Sequence, residues 1–381
     1  QSATLVARFR GRDALRPVLI SNHMDVVEAK REDWTRDPFT LVTENGYHYG
    51  RGVYDNKLDV ALTVSTLLRL KREGFVPAHD IILVLSGDEE TEMKTTAALS
   101  KQFPGAALVL NGDGGGGTMA GDERAVVYSI QTAEKTYATF EIEVTNPGGH
   151  SSRPRKDNAI YQLADVLKRL EAYAFPVQST EQTRAAFAFT GQQIGGSLGQ
   201  AMQRFARNPS DLDAVAEISA DPEYVGTLRT TCVATQLHAG HAENALPQKA
   251  VVTVNCRIFP GTPVNRVRDV LAEQVGLPLS SVREIGKGFG SDASPLSPAV
   301  MAAVRKAVDA NFPGLPVIPT MSSGATDSLY FRAEGIPSYG VSGAYVDPQD
   351  DFSHGLNERV PVSTVARGLK HWYVLLTELT K

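Results

Sequence analysis

The amino-acid sequence predicts an α/β protein whose mainly parallel sheet is interrupted by an inserted α+β segment. Three observations predict it. Over the first third of the chain, strand-like runs at 18–27, 80–86 and 106–113 alternate with helix-spaced segments at 58–74 and 93–103, as in a parallel sheet with crossover helices. From about Tyr137 the pattern becomes the period-two alternation TYATFEIEVTN, typical of a half-buried antiparallel strand. Beyond about residue 288 the α/β alternation returns and continues to the C-terminus.

The elements follow in order. VLISNHMDVV (18–27) reads as strand, and LDVALTVSTLLRLKREG (58–74) has helical spacing and stops at Gly74. DIILVLS (80–86) holds five consecutive aliphatic residues at 81–85, the mark of a strand buried on both faces. MKTTAALSKQF (93–103) reads as helix and AALVLNGD (106–113) as strand. Within the insertion a helix is expected at 158–173, then a polar, Ala-rich stretch to about Pro222 that is helical in part. Two β-rich runs and the helix PVNRVRDVLAEQV complete it. SPAVMAAVRKAVDANF (helix), PVIPTM (strand), a helix near 327–334, IPSYGV (strand) and a final helix at about 362–380 close the chain. The expected domains are 1–134 with 290–381, and an insertion at 135–289.

Composition narrows the function. A length of 381 residues has room for two domains. With 42% hydrophobic and 21% charged residues the chain reads as soluble and globular, and a net charge of -5 gives no electrostatic reason to expect nucleic acid or an acidic membrane surface. No apolar run approaches the roughly 18–20 residues of a membrane span. The chain opens on QSATLVARFRG without a Met or a signal peptide, so an upstream segment is expected to have been removed or left out, and cytoplasmic, periplasmic and secreted locations stay open. Cys232 and Cys256 are the only cysteines, which excludes a disulfide scaffold or Cys-rich zinc site. Two isolated buried thiols are expected rather than a cross-strand bridge.

In parallel sheets, sites form at the carboxyl ends of the strands, and His23, Asp25, Asp88, Glu89, Glu90 and Asp113 all fall at or just beyond such ends. A helix N-terminus accounts for one or two of the acids in SGDEETE, not for all four. NHMD puts His23 and Asp25 two apart on one side of a strand end, and a carboxylate beside a ligating histidine commonly orients the ring. GRGVYDNK supplies Asp55 in a glycine-rich turn, GDEET the diverging pair Glu89 and Glu90, LVLNGDGGGG supplies Asp113, and FSHGLNER supplies His354. Mixed histidines and carboxylates suit Zn²⁺ or another borderline divalent ion. Five ligand residues suggest two ions sharing a bridging carboxylate, with one Glu left as general base. The run Gly114 to Gly117 lacks the Lys-Ser/Thr or GxGxxG context of a nucleotide cradle.

The ordered set SNHMDVV, EDWTRDPF, YGRGVYDNK, SGDEET, NGDGG, NPGGHSSRP, ENALPQKAVVTVNCRIFPG, SSGATDSLYF and SHGLNERVPV resembles the two-zinc metallopeptidases that include carboxypeptidase S, glutamate carboxypeptidase, aminoacylase, carnosinase and succinyl-diaminopimelate desuccinylase. The likeness spans nearly the whole chain and is greatest to the carboxypeptidase S and N-acyl-amino-acid hydrolase branch. It implies hydrolysis of a peptide or N-acyl amide bond beside a free carboxylate, with two Zn²⁺ per chain and Co²⁺ or Mn²⁺ as substitutes. The implied ligands are His23 and Asp113 on one ion, Glu90 and His354 on the other, and Asp55 on both. Asp25 would orient His23, and Glu89 would be the base. The insertion matches the family's lid and dimerisation domain, which implies a homodimer in which His150 reaches a neighbouring subunit's site and polarises the carbonyl. Asn244 and Arg257 match substrate-binding positions, with Arg257 as the expected carboxylate clamp, and Gly324 and Thr326 would line the same pocket through backbone groups.

Two features depart from the family pattern. Leu58 and Asp59 follow Lys57 where a glycine is usual, and only about twenty residues precede the strand of His23 where relatives carry several dozen, including a helix that covers the sheet. His48, His79, His238, His241 and His371 match no ligand motif and are read as structural or exposed. Rival readings are a dipeptidase or aminopeptidase of the same family, against which Arg257 argues, and a non-catalytic metal-binding protein, against which the complete ligand set argues.

Overall fold

The aliphatic run at 81–85 forms the middle of the strand His79–Ser86, with every side chain 6% exposed or less. Such burial stabilises by roughly 1.5–3 kcal/mol per side chain, so this strand is a firm base for the acids that follow it. Its alternate residues enter two cores. Ile81, Leu83 and Leu85 pack with Ile20, Leu62, Tyr339 and Trp372, whereas Ile82 and Val84 pack with Leu19, Val109 and Phe331.

A computed structural model describes residues 2–121 and 123–381 and divides into two units: Gln1–Ala133 with Ala293–Met321 and Thr326–Lys381, and Glu134–Asp292 with Ser322–Ala325. The first unit is built on a nine-stranded sheet. At its centre Asp13–His23 runs parallel to both His79–Ser86 and Leu108–Asn111, and Ser338–Gly340 runs parallel to Leu108–Asn111. The flanks of this mainly parallel sheet run antiparallel. Leu5–Phe9 is antiparallel to His79–Ser86, and Gly116–Met119 is antiparallel to Ala125–Glu134, because a connection as short as 120–124 can only reverse the chain. Gly116–Met119 also turns part of the glycine run into strand.

Register places the site. His23 pairs with Ser86, and Ser21 with Asn111, so three neighbouring strands end almost level. Asp25, Asp88 to Glu90, and Asp113 are the residues that follow those ends. One sheet face is filled by the helices Lys57–Arg72, Pro298–Asn311 and Val362–Leu379, through Leu58, Leu62, Val304, Val308, Trp372 and Leu375. Among the described residues no helix is long and apolar enough to cross a membrane.

The second unit has a four-stranded antiparallel sheet in the order Thr231–Ala239, Lys249–Ile258, Thr136–Thr145, Val282–Phe289. The helices Ala159–Ala172 and Val264–Val275 cover it through Leu163, Val166, Val267 and Leu271. The Ala-rich stretch forms Glu181–Ile194, Gly196–Arg207, Leu212–Ser219 and Val225–Leu228 around Phe187, Met202 and Phe205. Contrary to the expectation of free thiols, Cys232 and Cys256 form a disulfide. They lie directly opposite each other in the antiparallel register, with Cα atoms 4.1 Å apart, a separation short enough for bridging that only the pairing of the strands creates.

Candidate metal centre

In the first unit the chain brings together His23, Asp25, Asp55, Glu89, Glu90, Asp113 and His354. Three groups have ligand atoms within 4.8 Å of one another: His23 with Asp55 and Asp113, His23 with Glu89 and Glu90, and Asp55 with Glu90 and His354. Asp55 faces both histidines. Its Oδ1 lies 2.9 Å from His23 Nε2 and its Oδ2 3.2 Å from His354 Nε2. Glu90 Oε2 is 3.0 Å from the same His354 nitrogen, and Asp113 Oδ2 is 3.9 Å from His23 Nε2.

The histidine tautomer follows from its partners. His23 Nδ1 lies 3.1 Å from the Asp25 carbonyl oxygen and 3.5 Å from its carboxylate. A carbonyl can only accept, so Nδ1 carries a proton, and the opposite nitrogen, Nε2, is the one turned toward Asp55 and Asp113, where its lone pair would meet an ion. The Asp25 carboxylate also accepts the backbone N–H groups of Glu89 (3.2 Å) and Glu90 (3.0 Å). One aspartate thus aims the histidine and fixes the two glutamates.

The electrostatics describe a site short of positive charge. Burial works against a charged His23, but hydrogen bonds to Asp25 and Asp55 and the charge of Asp113 outweigh it and push the ring up to about 12. Burial, reinforced by the Asp113 charge, pushes Glu89 up to about 10. Burial and the Asp55 charge also raise Glu90. Asp25 is held below its usual value, because His23 and the two amides outweigh burial. Protons therefore occupy what a multivalent cation would neutralise, and imidazole with carboxylate oxygens is a donor set that divalent zinc-like ions accept. The residues fit metal.

Supporting groups hold each ligand loop. Glu358, fully buried, accepts the N–H groups of Gly52 (2.8 Å), Tyr54 (2.9 Å) and Asp55 (3.0 Å) and pairs with Arg51 (2.9 Å). Asp88 accepts the backbone N–H groups of Lys94 (3.1 Å) and Thr95 (3.0 Å), at the start of the helix Lys94–Leu99. Asp327 accepts the hydroxyls of Ser86 and Thr96. Asn111 Oδ1 accepts the Asp113 N–H (2.8 Å), and its Nδ2 donates to Thr326 Oγ1 (3.0 Å). Gly112 is required by close approach, since a Cβ there would lie 2.1 Å from Asn22 Oδ1 and 2.6 Å from Asp59 Cβ. Asp59, one of the two departures, leaves the helix start at Lys57 and is buried, accepting from Ser342 Oγ (2.6 Å), Gly343 N (2.8 Å) and Trp372 Nε1 (2.6 Å). Sequence reasoning missed Glu358 and Asp327. The signal for Glu358 was an acid four residues after His354, whose burial no local pattern reveals.

The remaining expected residues lie in the second unit, apart from Thr326. His150 and Asn244 are neighbours there: His150 pairs with Ala245, and the Ser151 N–H donates to the Asn244 carbonyl at 3.0 Å. The Ser152 N–H donates to His150 Nδ1 at 3.1 Å, which leaves the ring proton on Nε2. Arg257 donates to the Ser323 carbonyl at 3.2 Å, next to Gly324, and its guanidinium lies 4.7 Å over the Tyr137 ring. Of the histidines without a motif, His371 is buried against Tyr128 and Tyr345, while His238 and His241 are exposed.

Residues 19–378 match the pattern of peptidase family M20/M25/M40. The N-fatty-acyl-amino acid synthase/hydrolase PM20D1 of Xenopus tropicalis is 29% identical over 378 residues, covering 96% of this chain and 72% of the relative. A probable carboxypeptidase S-like 2 of Dictyostelium discoideum is 25% identical, with 99% and 75% covered. Among solved structures, the M20 family metallo-carboxypeptidase Sso-CP2 from Sulfolobus solfataricus superposes with a TM-score of 0.70 at 17% identity, covering 100% of this chain and 89% of that one. This last likeness carries the fold.

Proposed function

Because this chain belongs to peptidase family M20/M25/M40 and is a metal-dependent carboxypeptidase or N-acyl-amino-acid hydrolase, we propose that it cleaves a peptide or N-acyl amide bond next to a free carboxylate, using two zinc ions and Glu89. The observation that carries the proposal is Asp55, with one carboxylate oxygen toward each of two histidines. His23 and Asp113 would hold one ion, Glu90 and His354 the other, and Asp55 both.

When bound, the ions supply Lewis acidity toward water and the scissile carbonyl. Asp25 keeps the His23 proton on Nδ1 and locks Glu89 and Glu90 through their amides. Glu89 takes a proton from the attacking water and passes it to the leaving nitrogen. Its buried, acid-crowded position gives it a high proton affinity without metal, and the charge of bound ions would return it to the carboxylate that a base must be. His150 carries its proton on Nε2, as a donor to a developing oxyanion must. Arg257 forks the substrate carboxylate, and Asn244, Gly324 and Thr326 complete the substrate contacts.

The second unit would serve as lid and dimerisation domain. In support, the edge strand Thr231–Ala239 exposes Val233 and Leu237, and an uncovered sheet edge is a ready pairing surface. The Cys232–Cys256 bridge supports an oxidising compartment. Hydrolysis of a panel of N-acyl amino acids and dipeptides, with C-terminal amides as controls, tests the proposal. Free acids should be preferred, and equal cleavage of the amides would discard the carboxylate clamp. Full activity in a strictly monomeric variant would remove His150 from a neighbour's site.

A further inference from the structure

Lys135 has no place in the chemistry above, yet it is fully buried, where a lysine is rarely found without a counter-charge. Its ammonium donates to the Arg229 carbonyl at 2.8 Å and lies 3.5 Å from the Thr231 hydroxyl. The charged side chain acting on it is another cation, Arg257. Among the described residues neither cation has an ion-pair partner. Both border one short loop. The Lys135 N–H donates to the Ser322 carbonyl at 2.9 Å, and Arg257 Nη1 donates to the Ser323 carbonyl at 3.2 Å. Gly226 packs beside the ammonium and the loop, since a Cβ there would lie 3.5 Å from Ser323 Oγ and 3.6 Å from Lys135 Nζ.

Two adjacent cations without an acid form a surplus that an incoming anion would neutralise. We propose that Lys135 supplies the second positive charge of an anion site whose contact group is Arg257, and that the anion is the substrate carboxylate. The inference rests on the reading of Arg257 as carboxylate clamp and extends it to a residue no substrate touches. Lys135 is a positioning residue: it holds Ser322 from below and adds its field to the guanidinium.

The test is steady-state kinetics with an N-acyl amino acid and its carboxamide. Lys135→Gln keeps a donor for the Arg229 carbonyl and removes the charge. It should raise KM for the acid by about tenfold, leave kcat within about twofold, and leave KM for the carboxamide unchanged. Lys135→Arg should restore most of the loss. An unchanged KM for the acid, or an equal rise for both compounds, overturns the inference. The parent reading is tested separately by Arg257→Gln: if that variant keeps the wild-type preference for acid over carboxamide, the clamp itself fails. Should Lys135→Gln not fold, the wild type provides the measurement. Burial, aided by Arg257, lowers Lys135 to about 8. The charged group acting on it is Arg257, and arginine keeps its charge in this range; Arg229 turns its guanidinium to Ser219 Oγ, and Glu134 adjoins Lys135 in sequence. The ratio of KM for acid over carboxamide should therefore climb between about pH 7 and 9, and a flat ratio overturns the inference.

Discussion

The carboxylate of Glu358 accepts the backbone N–H of Asp55 at 3.0 Å. With the Gly52 and Tyr54 amides and Arg51 on the same carboxylate, it fixes the loop that presents Asp55 to both histidines. Glu358→Gln replaces one of two acceptor oxygens with a donor that opposes these N–H groups. Loss of such a support typically costs about 10–100-fold in metal affinity or activity. Titration of the metal-free variant with zinc should show that loss, and wild-type affinity would show that the loop holds itself.

Asp327 should give the protein a pH-dependent stability. Burial raises it from 3.8 to about 6, against the Ser86 and Thr96 hydroxyls that favour its anion. The folded chain thus holds this proton more tightly than the unfolded chain. Its contribution is complete below pH 3.8 and is lost as pH rises through about 6. Urea unfolding of the metal-free protein should show a wild-type minus Asp327→Asn difference that shrinks by up to about 3 kcal/mol over that interval. A difference independent of pH contradicts this.

The Cys232–Cys256 bridge closes a sequence separation of 24, for which restriction of the unfolded chain is worth roughly 3 kcal/mol. Cys256→Ser should lower the unfolding free energy by an amount of that order and leave kcat within about twofold, since the expected metal ligands all belong to the first unit. Thermal melting with parallel kinetics decides it.

The cluster of histidines and acids that the fold brings together was legible because each member sits in a short local pattern. His23 and Asp25 are two apart at a strand end, and Glu89 and Glu90 follow an aliphatic run that can only be core. What could not be read depends on partners distant in sequence. Whether Cys232 meets Cys256 is a matter of strand register. The importance of Glu358 arises from a loop some 300 residues earlier, and that of Asp327 from the strand and helix that flank Glu89. The antiparallel flank at Gly116–Met119 was hidden because glycines carry no apolar alternation.

Glu89 is proposed as the proton shuttle, whereas geometry alone also groups it with His23 and Glu90 as a metal donor. Glu89→Gln separates the two roles when metal content and hydrolysis are measured on the same preparation. With Glu89 as proton shuttle, wild type and variant alike should hold about two metal ions per chain, with hydrolysis reduced by about 10²–10⁴-fold in the variant. Hydrolysis at the wild-type rate, or loss of metal on substitution, would contradict it.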